Sequence, residues 1–242
     1  MARRMALNQI NKQLLEFEKI KSKFLQIISH EIRTPLNGIV GSVNLLKDVI
    51  TSEEIRTILE MLDTSVSRLE TFSITALKIT ELQSHKYNLK KEEINLAKEI
   101  ESQLTDLSGK IHDRGVRVNR SNIPEYVSIN ANLNLVRICL KNILDNAVKY
   151  CTENGEIEIR VHVENQSVTC EIIDDGVGFS KQTLNNLFTL FSIAGEHVDN
   201  SPGLVFPLLK LIMEAHEGRI EVKNAKNGGA IVQLMFPIDP VK

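Results

Sequence analysis

Two neighbouring residues, His30 and Glu31, bring a nucleophile and a carboxylate together on a predicted helix. A neutral imidazole is nucleophilic near physiological pH, and a carboxylate that accepts the Nδ1 proton fixes the tautomer and leaves Nε2 free to attack. The preceding apolar residues recur in heptad steps that place His30 on the solvent side of the helix. Pro35 has no N–H to offer the carbonyl of Glu31 and should bend the helix there. The pattern indicates chemistry at the imidazole, and an ordinary exposed histidine is the alternative.

A second group of polar side chains shares one face of a later predicted helix, residues 133–150. Asn142, Asn146 and Lys149 are spaced i, i+4 and i+7, so they lie beside the apolar stripe of that helix. Two carboxamides and a lysine offer oxygen ligands and a positive charge, which suit a hydrated Mg²⁺ and its triphosphate. A solvated polar face without a ligand is the alternative.

A third candidate, Asp174, ends a predicted strand in the stretch IIDDGVGF. Gly176 and Gly178 follow it and would let the backbone approach a ligand closely. Because Asp-Gly turns are common, this stretch alone does not identify a binding site.

The elements that must position these groups fall into two halves with different hydrophobic periods. Residues 5–83 contain two amphipathic segments separated by a turn at 48–52, which predicts a helical hairpin. One hairpin has too little to pack against, so we expect a homodimer in which two hairpins form a four-helix bundle.

From residue 87 onward, short alternating runs predict strands and longer periodic segments predict helices. The predicted strands are 127–130, 155–164, 167–174, 218–224 and 229–236, and the predicted helices are 94–112, 133–150 and 206–217. Strands grouped on both sides of helices favour an α+β layer for this half.

The composition is that of an ordinary globular protein and argues against several classes of function. The 242 residues are 42% hydrophobic and 25% charged, and the net charge of −2 argues against a nucleic-acid partner. No apolar run approaches the roughly 18 residues of a membrane span, so we expect no membrane segment in this chain. The three cysteines lack C-x-x-C spacing and are expected to be buried in a reducing compartment, which favours a cytoplasmic location.

The stretch FLQIISHEIRTPL, residues 24–36, closely resembles the phosphoacceptor box of two-component sensor histidine kinases. The resemblance implies that His30 is the phosphorylated residue and that Glu31 is the proton acceptor in the kinase reaction. Thr34 matches the polar position that in the family orients water for dephosphorylating the partner. The implied partner is the receiver domain of a response regulator, which would take the phosphoryl group on an aspartate.

Two further stretches resemble the nucleotide-binding boxes of the same family and imply ATP and Mg²⁺ as cofactors. NILDNAVKY resembles its N-box, which implies that Asn142 and Asn146 serve the metal and the phosphates, with Asn146 as the metal ligand. By the same match, Lys149 serves the phosphates and Tyr150 lies near the nucleotide. IIDDGVGF resembles the G1 box, which implies that Asp174 accepts a hydrogen bond from the adenine amino group.

Glycines and phenylalanines extend this resemblance around the nucleotide. Gly176 and Gly178 fall on the glycines of the G1 box. LFTLF resembles the F-box, carried by Phe188 and Phe191, and ordinary core packing is the alternative for these two rings.

The stretch SPGLVF departs from the family's second glycine-rich box, G-x-G-L-G-L, before the last helix. Gly203 and Leu204 match the box, whereas Ser201 and Val205 replace glycines. Val205 resists positive φ and places a β-branched side chain where the backbone should approach phosphate. Pro207 removes one of the free N–H groups that bind anions at a helix N-terminus. We therefore expect weakened phosphate binding with the adenine and Mg²⁺ elements intact.

The resemblance covers nearly the whole chain and implies three segments. Residues 1–23 would be a coiled-coil signalling helix, 24–86 the dimerisation and histidine phosphotransfer domain, and 87–242 a catalytic ATP-binding domain with the GHKL (Bergerat) α/β sandwich. The upstream sensor domain is expected to be missing from this chain, which would then be the cytoplasmic portion of a longer sensor.

Two functions stay open on these grounds. The first is an active histidine kinase core, and the second is a degenerate kinase-like dimer that regulates a partner or dephosphorylates a response regulator through Thr34. A GHKL ATPase of the chaperone or repair type is disfavoured, because such a protein has no use for the His30 box.

Overall fold

The computed structural model describes two compact units of the chain. Among the described residues, the first unit holds those up to Leu77 with 189–190 and 203–204, and the second runs from Lys78 to Phe188 and from Val205 on. The described residues are 32, 34–42, 44–46, 52–83, 89–164, 166–190 and 203–238. The expected coiled coil at 1–23, the hairpin turn and the joint at 84–88 lie outside them, and the predicted domain boundaries stay predictions.

The first unit is helical, as the heptad pattern predicts. Residues 34–42 and 44–46 are helical, and helix α1 spans Ser52–Gln83. A Cβ added to Gly38 would lie 2.5 Å from the Oγ of Ser65, so the two helices touch at this pair. Gly38 lies ten residues before the predicted turn at 48–52 and Ser65 lies 13 residues after it, which fits the arrangement of an antiparallel hairpin.

Each helix of this unit also carries exposed apolar side chains. The exposed apolar side chains are Ile32, Leu36, Val40 and Leu45 on the first helix and Ile55, Leu59, Met61, Val66, Ile74 and Leu77 on α1. A contiguous exposed apolar surface of this kind is typical of an interaction site.

The second unit contains two sheets and five helices among its described residues. The helices are α2 Leu96–Asp106, α3 Ser108–Asp113, α4 Leu133–Tyr150, α5 Lys181–Asn186 and α6 Val205–Ala215. The strands are β1 Glu92–Asn95, β2 Arg117–Asn122, β3 Ser128–Ala131, β4 Glu156–Glu164, β5 Ser167–Asp174, β6 Arg219–Asn224 and β7 Ala230–Pro237. Strands β1 and β3 pair antiparallel, and the larger sheet has the order β2-β4-β5-β7-β6 with only β2–β4 parallel.

One face of the larger sheet is covered by helices, and the hydrophobic core lies between these two layers. Alternate residues of β4, β5 and β7 are buried on that face, as period-2 patterning predicts. Helix α4 contacts β5 and α6, while α6 contacts β6 and β7. The expected α+β architecture, a helical hairpin followed by an α/β sandwich, is confirmed.

Three elements differ from the sequence-based expectation. The predicted helix 94–112 begins two residues later than expected, because Asn95 ends β1 and its Oδ1 accepts the N–H of Ala97 at 3.1 Å as the cap of α2. The helical stretch then divides at Leu107 into α2 and α3. Strands β1 and β2 were not predicted, since both are short and mostly polar. Within the described residues, no helix combines the length and apolar character needed to cross a membrane.

Candidate functional site

Helix α4 presents the predicted polar face next to its buried stripe. The apolar stripe of this helix is buried and includes Val136, Leu140, Ile143 and Ala147. Asn142 and Asn146 are half-buried beside them and Lys149 is exposed, as the helical spacing predicts.

The two carboxamides of α4 keep oxygen atoms available for a ligand. The Asn142 Nδ2 donates to the carbonyl of Ile138 at 2.8 Å, which leaves its Oδ1 free of described donors. The Asn146 side chain has no hydrogen bond to any residue that the structure describes. Carboxamide oxygens one helical turn apart are ligands that a hard cation such as Mg²⁺ accepts, so these residues fit the expected metal.

Lys149 and Tyr150 end the same helix on its exposed side. The Lys149 Nζ lies 4.9 Å from the centroid of the Tyr150 ring, a cation–π contact. Tyr150 is half-exposed, so the ammonium group and the ring share one accessible surface at the C-terminal end of α4.

Asp174 is buried at the end of β5 with one carboxylate oxygen committed and one available. Its Oδ1 accepts the N–H of Gly176 at 2.9 Å and the N–H of Ala230 at 3.2 Å. Among the described residues, no donor reaches Oδ2. Burial raises the pKa of Asp174 above its usual value, although the two backbone N–H groups oppose this effect. The arrangement suits a carboxylate that accepts one hydrogen bond from a bound molecule.

The two glycines after Asp174 are required by the protein's own backbone. A Cβ on Gly176 would overlap the carbonyl oxygen of Tyr150, where α4 ends. Gly178 has a φ of +66°, and a Cβ there would lie 2.8 Å from the carbonyl oxygen of Gly229. Both glycines thus bring three chain segments together around Asp174, and their approach to a ligand stays a prediction.

Sequence reasoning missed Asp175, which anchors the loop after α4. Its Oδ1 accepts the Thr152 N–H at 3.2 Å, the Thr152 hydroxyl at 3.0 Å and the Cys151 thiol at 3.0 Å, and its Oδ2 accepts the Glu156 N–H at 3.0 Å. Burial alone would raise the pKa of Asp175, but these hydrogen bonds outweigh it and hold the pKa below the usual value. Asp174 therefore keeps one oxygen available for a ligand, whereas both oxygens of Asp175 bind groups of the protein. The doublet in IIDDGVGF does not reveal this division.

His216 connects the end of α6 to the beginning of α4. Its Nε2 accepts the N–H of Asn132 at 2.9 Å, and its Nδ1–H donates to the carbonyl of Ile212 at 2.7 Å. Asn132 is the N-cap of α4, and its Oδ1 accepts the N–H of Leu135 at 3.1 Å. Burial lowers the pKa of His216, so the ring is a neutral imidazole with the proton on Nδ1.

At the divergent glycine box, the positive φ does not fall on Val205. The positive φ, +63°, falls on Gly203, whereas Val205 begins α6 and is not among the positive-φ residues. Val205 therefore needs no positive φ, because the helix starts at Val205, one residue before the predicted start at 206. The conflict of its side chain with phosphate stays a prediction. Leu204 is buried, and Pro207 lies in the first turn of α6, as predicted. Ser201 lies outside the described residues.

Aromatic rings join this helix start to two other segments. Phe206 makes edge-to-face contacts with Phe179 at 5.7 Å and with Phe188 at 6.3 Å between ring centroids. Phe188 thus has the packing role that was the alternative to an F-box function. Phe191 lies outside the described residues.

The phosphoacceptor region is only partly described. His30 and Glu31 lie outside the described residues, whereas Thr34 lies on a helix and is exposed. The predicted roles of these three residues stay predictions.

Comparisons with known proteins match both halves of the chain. Residues 20–72 match the family of His Kinase A (phospho-acceptor) domains, and residues 131–240 match the family of histidine kinase-, DNA gyrase B-, and HSP90-like ATPases. The sensor protein KdpD of Clostridium acetobutylicum is 30% identical over 233 residues, covering 92% of this chain and 25% of KdpD. The heme sensor protein HssS of Staphylococcus saprophyticus is 28% identical over 223 residues, covering 92% of this chain and 48% of HssS. The chain thus spans half or less of the length of these curated relatives.

A solved structure has the same fold over most of the chain. The histidine kinase ThkA, crystallised in complex with the response regulator protein TrrA, superposes with a TM-score of 0.73 at 22% identity. The match covers 92% of this chain and 63% of that chain.

Proposed function

This chain belongs to the two-component sensor histidine kinases, and from that premise we propose that it is a kinase core that phosphorylates itself on His30. ATP with Mg²⁺ is the phosphoryl donor, and an aspartate of a response regulator is the final acceptor. The observation that carries the proposal is Asp174, a buried carboxylate with one oxygen held by Gly176 and Ala230 and the other available.

Adenine recognition follows from the free oxygen of Asp174. A carboxylate accepts hydrogen bonds only, so Oδ2 selects a donor such as the 6-amino group of adenine. Tyr150 and Lys149 at the end of α4 offer a ring surface and a positive charge beside the nucleotide. Asn142 and Asn146 would hold Mg²⁺, which neutralises charge on the phosphates when bound.

In the transfer step, the Nε2 of His30 attacks the γ-phosphorus and the bond to the β–γ bridging oxygen breaks. ADP leaves with the electron pair of that bond, and the Nδ1 proton of the new phosphohistidine is held by the Glu31 carboxylate. The transfer requires in-line positioning and charge neutralisation more than covalent participation by other residues.

We propose a homodimer as the working form of the core. Both α1 and the preceding helix carry exposed apolar side chains, which a second hairpin would cover. We also propose a cytoplasmic location, since the reaction consumes ATP and all three cysteines are free and buried. An input region outside these 242 residues would supply the signal.

A radiolabel experiment tests the kinase proposal. Incubation with Mg²⁺ and ATP labelled at the γ-phosphate should give protein-bound label that is labile in acid and stable in alkali, as a phosphohistidine is. His30→Gln should abolish the label, whereas His112→Gln, a change of an exposed histidine in α3, should not. Equal labelling of the two variants, or none in the parent protein, contradicts the proposal.

A second function, that of a degenerate regulatory dimer acting as a response-regulator phosphatase through Thr34, is favoured by Pro207. Pro207 removes an N–H from the first turn of α6, where the family binds phosphate. Pro207→Ala should therefore tighten ATP binding and leave adenosine binding unchanged if weak phosphate binding limits the enzyme. If the dimer acts instead as a phosphatase, Thr34→Ala should slow the dephosphorylation of an added phosphorylated regulator.

A further inference from the structure

Asn224, the last residue of β6, holds the peptide groups on both sides of Phe179 with one side chain. Its Oδ1 accepts the N–H of Phe179 at 2.8 Å, and its Nδ2 donates to the carbonyl of Phe179 at 2.7 Å. The two residues are 45 positions apart in the chain. We propose that Asn224 is a positioning residue that fixes the turn 174–179 and thereby sets the preference for adenine over guanine nucleotides. This inference rests on the proposed ATP-binding function.

The turn needs such a partner because its own backbone supplies little support. Residues 175–179 belong to no helix or strand, and Val177 at the tip is 87% exposed. Within the described part of the chain, no backbone–backbone hydrogen bond involves residues 176–179. Asn224 pairs with Phe179 as a neighbouring strand would, satisfying one donor and one acceptor together.

The hairpin that carries Asn224 also holds the other end of the turn. Ala230, the first residue of β7, donates its N–H to Asp174 Oδ1 at 3.2 Å. Gly229 lies directly against the carbonyl of Asp174, since a Cβ on Gly229 would overlap that oxygen. The β6–β7 hairpin is thus hydrogen-bonded to both ends of the turn, to Asp174 through Ala230 and to Phe179 through Asn224.

Adenine preference depends on where the second oxygen of Asp174 points. Its Oδ1 is fixed by two N–H groups, but the direction of Oδ2 follows the peptide of Gly176 and hence the position of the turn. A fixed acceptor binds the 6-amino group of adenine and opposes the carbonyl oxygen that guanine carries at that position. When Asn224 no longer binds Phe179, the turn can move and Oδ2 of Asp174 can change direction. ATP then binds less tightly, and the repulsion between Oδ2 and the carbonyl oxygen of guanine is weaker.

Nucleotide affinities of matched variants test the assignment. Asn224→Ala should raise the Kd for Mg·ATP about tenfold and change the Kd for Mg·GTP less than about twofold. Asn224→Asp has the same size and keeps the acceptor, but it places an oxygen against the Phe179 carbonyl, so it should act in the same direction. Asn122→Ala is the control, because Asn122 ends the opposite edge strand and its amide donates to Glu158 Oε1 at 3.1 Å. The control should retain both affinities.

Three readouts decide among the outcomes. An unchanged ratio of the ATP and GTP affinities in Asn224→Ala overturns the inference. If the ratio is unchanged because both affinities fall equally, the variant has a general structural defect. Amide hydrogen exchange of the nucleotide-free protein should show faster exchange at Phe179 in Asn224→Ala, and unchanged exchange also contradicts the assignment. A parent protein that binds neither nucleotide overturns the proposed function instead, and the exchange measurement then still decides whether Asn224 holds the turn.

Discussion

At the residue scale, the Asp174 carboxylate combines burial with a role that requires it to stay ionised. Burial raises its pKa, so it binds a proton at a higher pH than an ordinary aspartate. The ionised form is the acceptor for adenine, and affinity should therefore fall as the pH drops through this raised pKa. Titration calorimetry with adenosine, which has no phosphate to titrate, across pH 4 to 8 measures the effect.

The variant Asp174→Asn separates this effect from other titrating groups. It places an amide where the carboxylate stood and should weaken ATP binding by one to two decades, the equivalent of about 1.5–3 kcal/mol. The pH dependence of adenosine binding should also disappear. A variant that keeps the parent pH profile contradicts the role of Asp174.

Gly176 makes a second residue-scale prediction, on stability. Gly176→Ala should lower the free energy of unfolding by about 1–3 kcal/mol, because the new Cβ meets the backbone carbonyl of Tyr150, which cannot rotate away. Gly109→Ala is the matched control, since no atom lies within 4 Å of a Cβ at that helical position and the change should stabilise by about 0.5–1 kcal/mol. Chemical denaturation of both variants measures the difference. Similar stabilities would contradict the close approach at Gly176.

The sequence indicated candidate site residues that share a helical face, end a predicted strand or fall in a motif of a known family. Asn142 and Asn146 share a helical face and Asp174 ends a strand, as the sequence pattern predicted, while their roles at a site stay predictions. Asp175 and Asn224 escaped notice because their partners lie 19 to 45 residues away and are largely backbone groups. No composition or periodicity marks a side chain that pairs with a distant peptide.

At the element scale, His216 makes the position of α4 depend on α6. The buried ring can accept the Asn132 N–H only while Nε2 is unprotonated. Its pKa is lowered by burial, with Lys91 adding to the effect and the Ile212 carbonyl opposing it. The unfolded state therefore binds the proton more readily than the folded state, and stability should be complete above the usual histidine pKa of 6.5 and decline as the pH falls below it.

The variant His216→Gln tests this coupling. It should be less stable than the parent at pH 7, and its free energy of unfolding should fall less between pH 7 and pH 5 than that of the parent. His112→Gln, in which an exposed histidine is replaced, should keep the parent slope. Denaturant titrations at several pH values give these slopes, and equal slopes in all three proteins argue against His216.

The elements that sequence patterns predicted are those with a strong period and a buried face. Helix α4 and strands β4, β5 and β7 have alternating or helical burial over eight or more residues, and each was predicted near its observed bounds. Strands β1 and β2 are four and six residues long and mostly exposed, so they carry almost no pattern. Their places are set by pairing with β3 and β4, which is a tertiary effect.

At the scale of the whole molecule, the first unit exposes more apolar surface than a lone hairpin tolerates. On α1 the buried stripe includes Ile58 and Phe72, whereas Leu59 and Val66 lie about a quarter turn further round and are 49% and 43% exposed. Two adjacent apolar stripes on each helix suit a four-helix bundle, in which every helix has two neighbours. The unpartnered stripe is where the second copy should pack.

Substitutions on this stripe should separate the dimer without unfolding the helices. Leu59→Glu and Val66→Glu each bury an unpaired carboxylate in the interface, at a cost of about 3 kcal/mol or more, and should weaken the dimer at least about hundredfold. Thr64→Glu adds the same charge at an exposed position on the far side of α1 from Leu59 and Val66, and it should leave the dimer intact. Sedimentation equilibrium gives the three dissociation constants, and circular dichroism shows whether helix content is retained. A parent protein that is monomeric at micromolar concentration would contradict the proposed dimer. A Thr64→Glu variant that dissociates as readily as Leu59→Glu would contradict the assignment of the interface to this stripe.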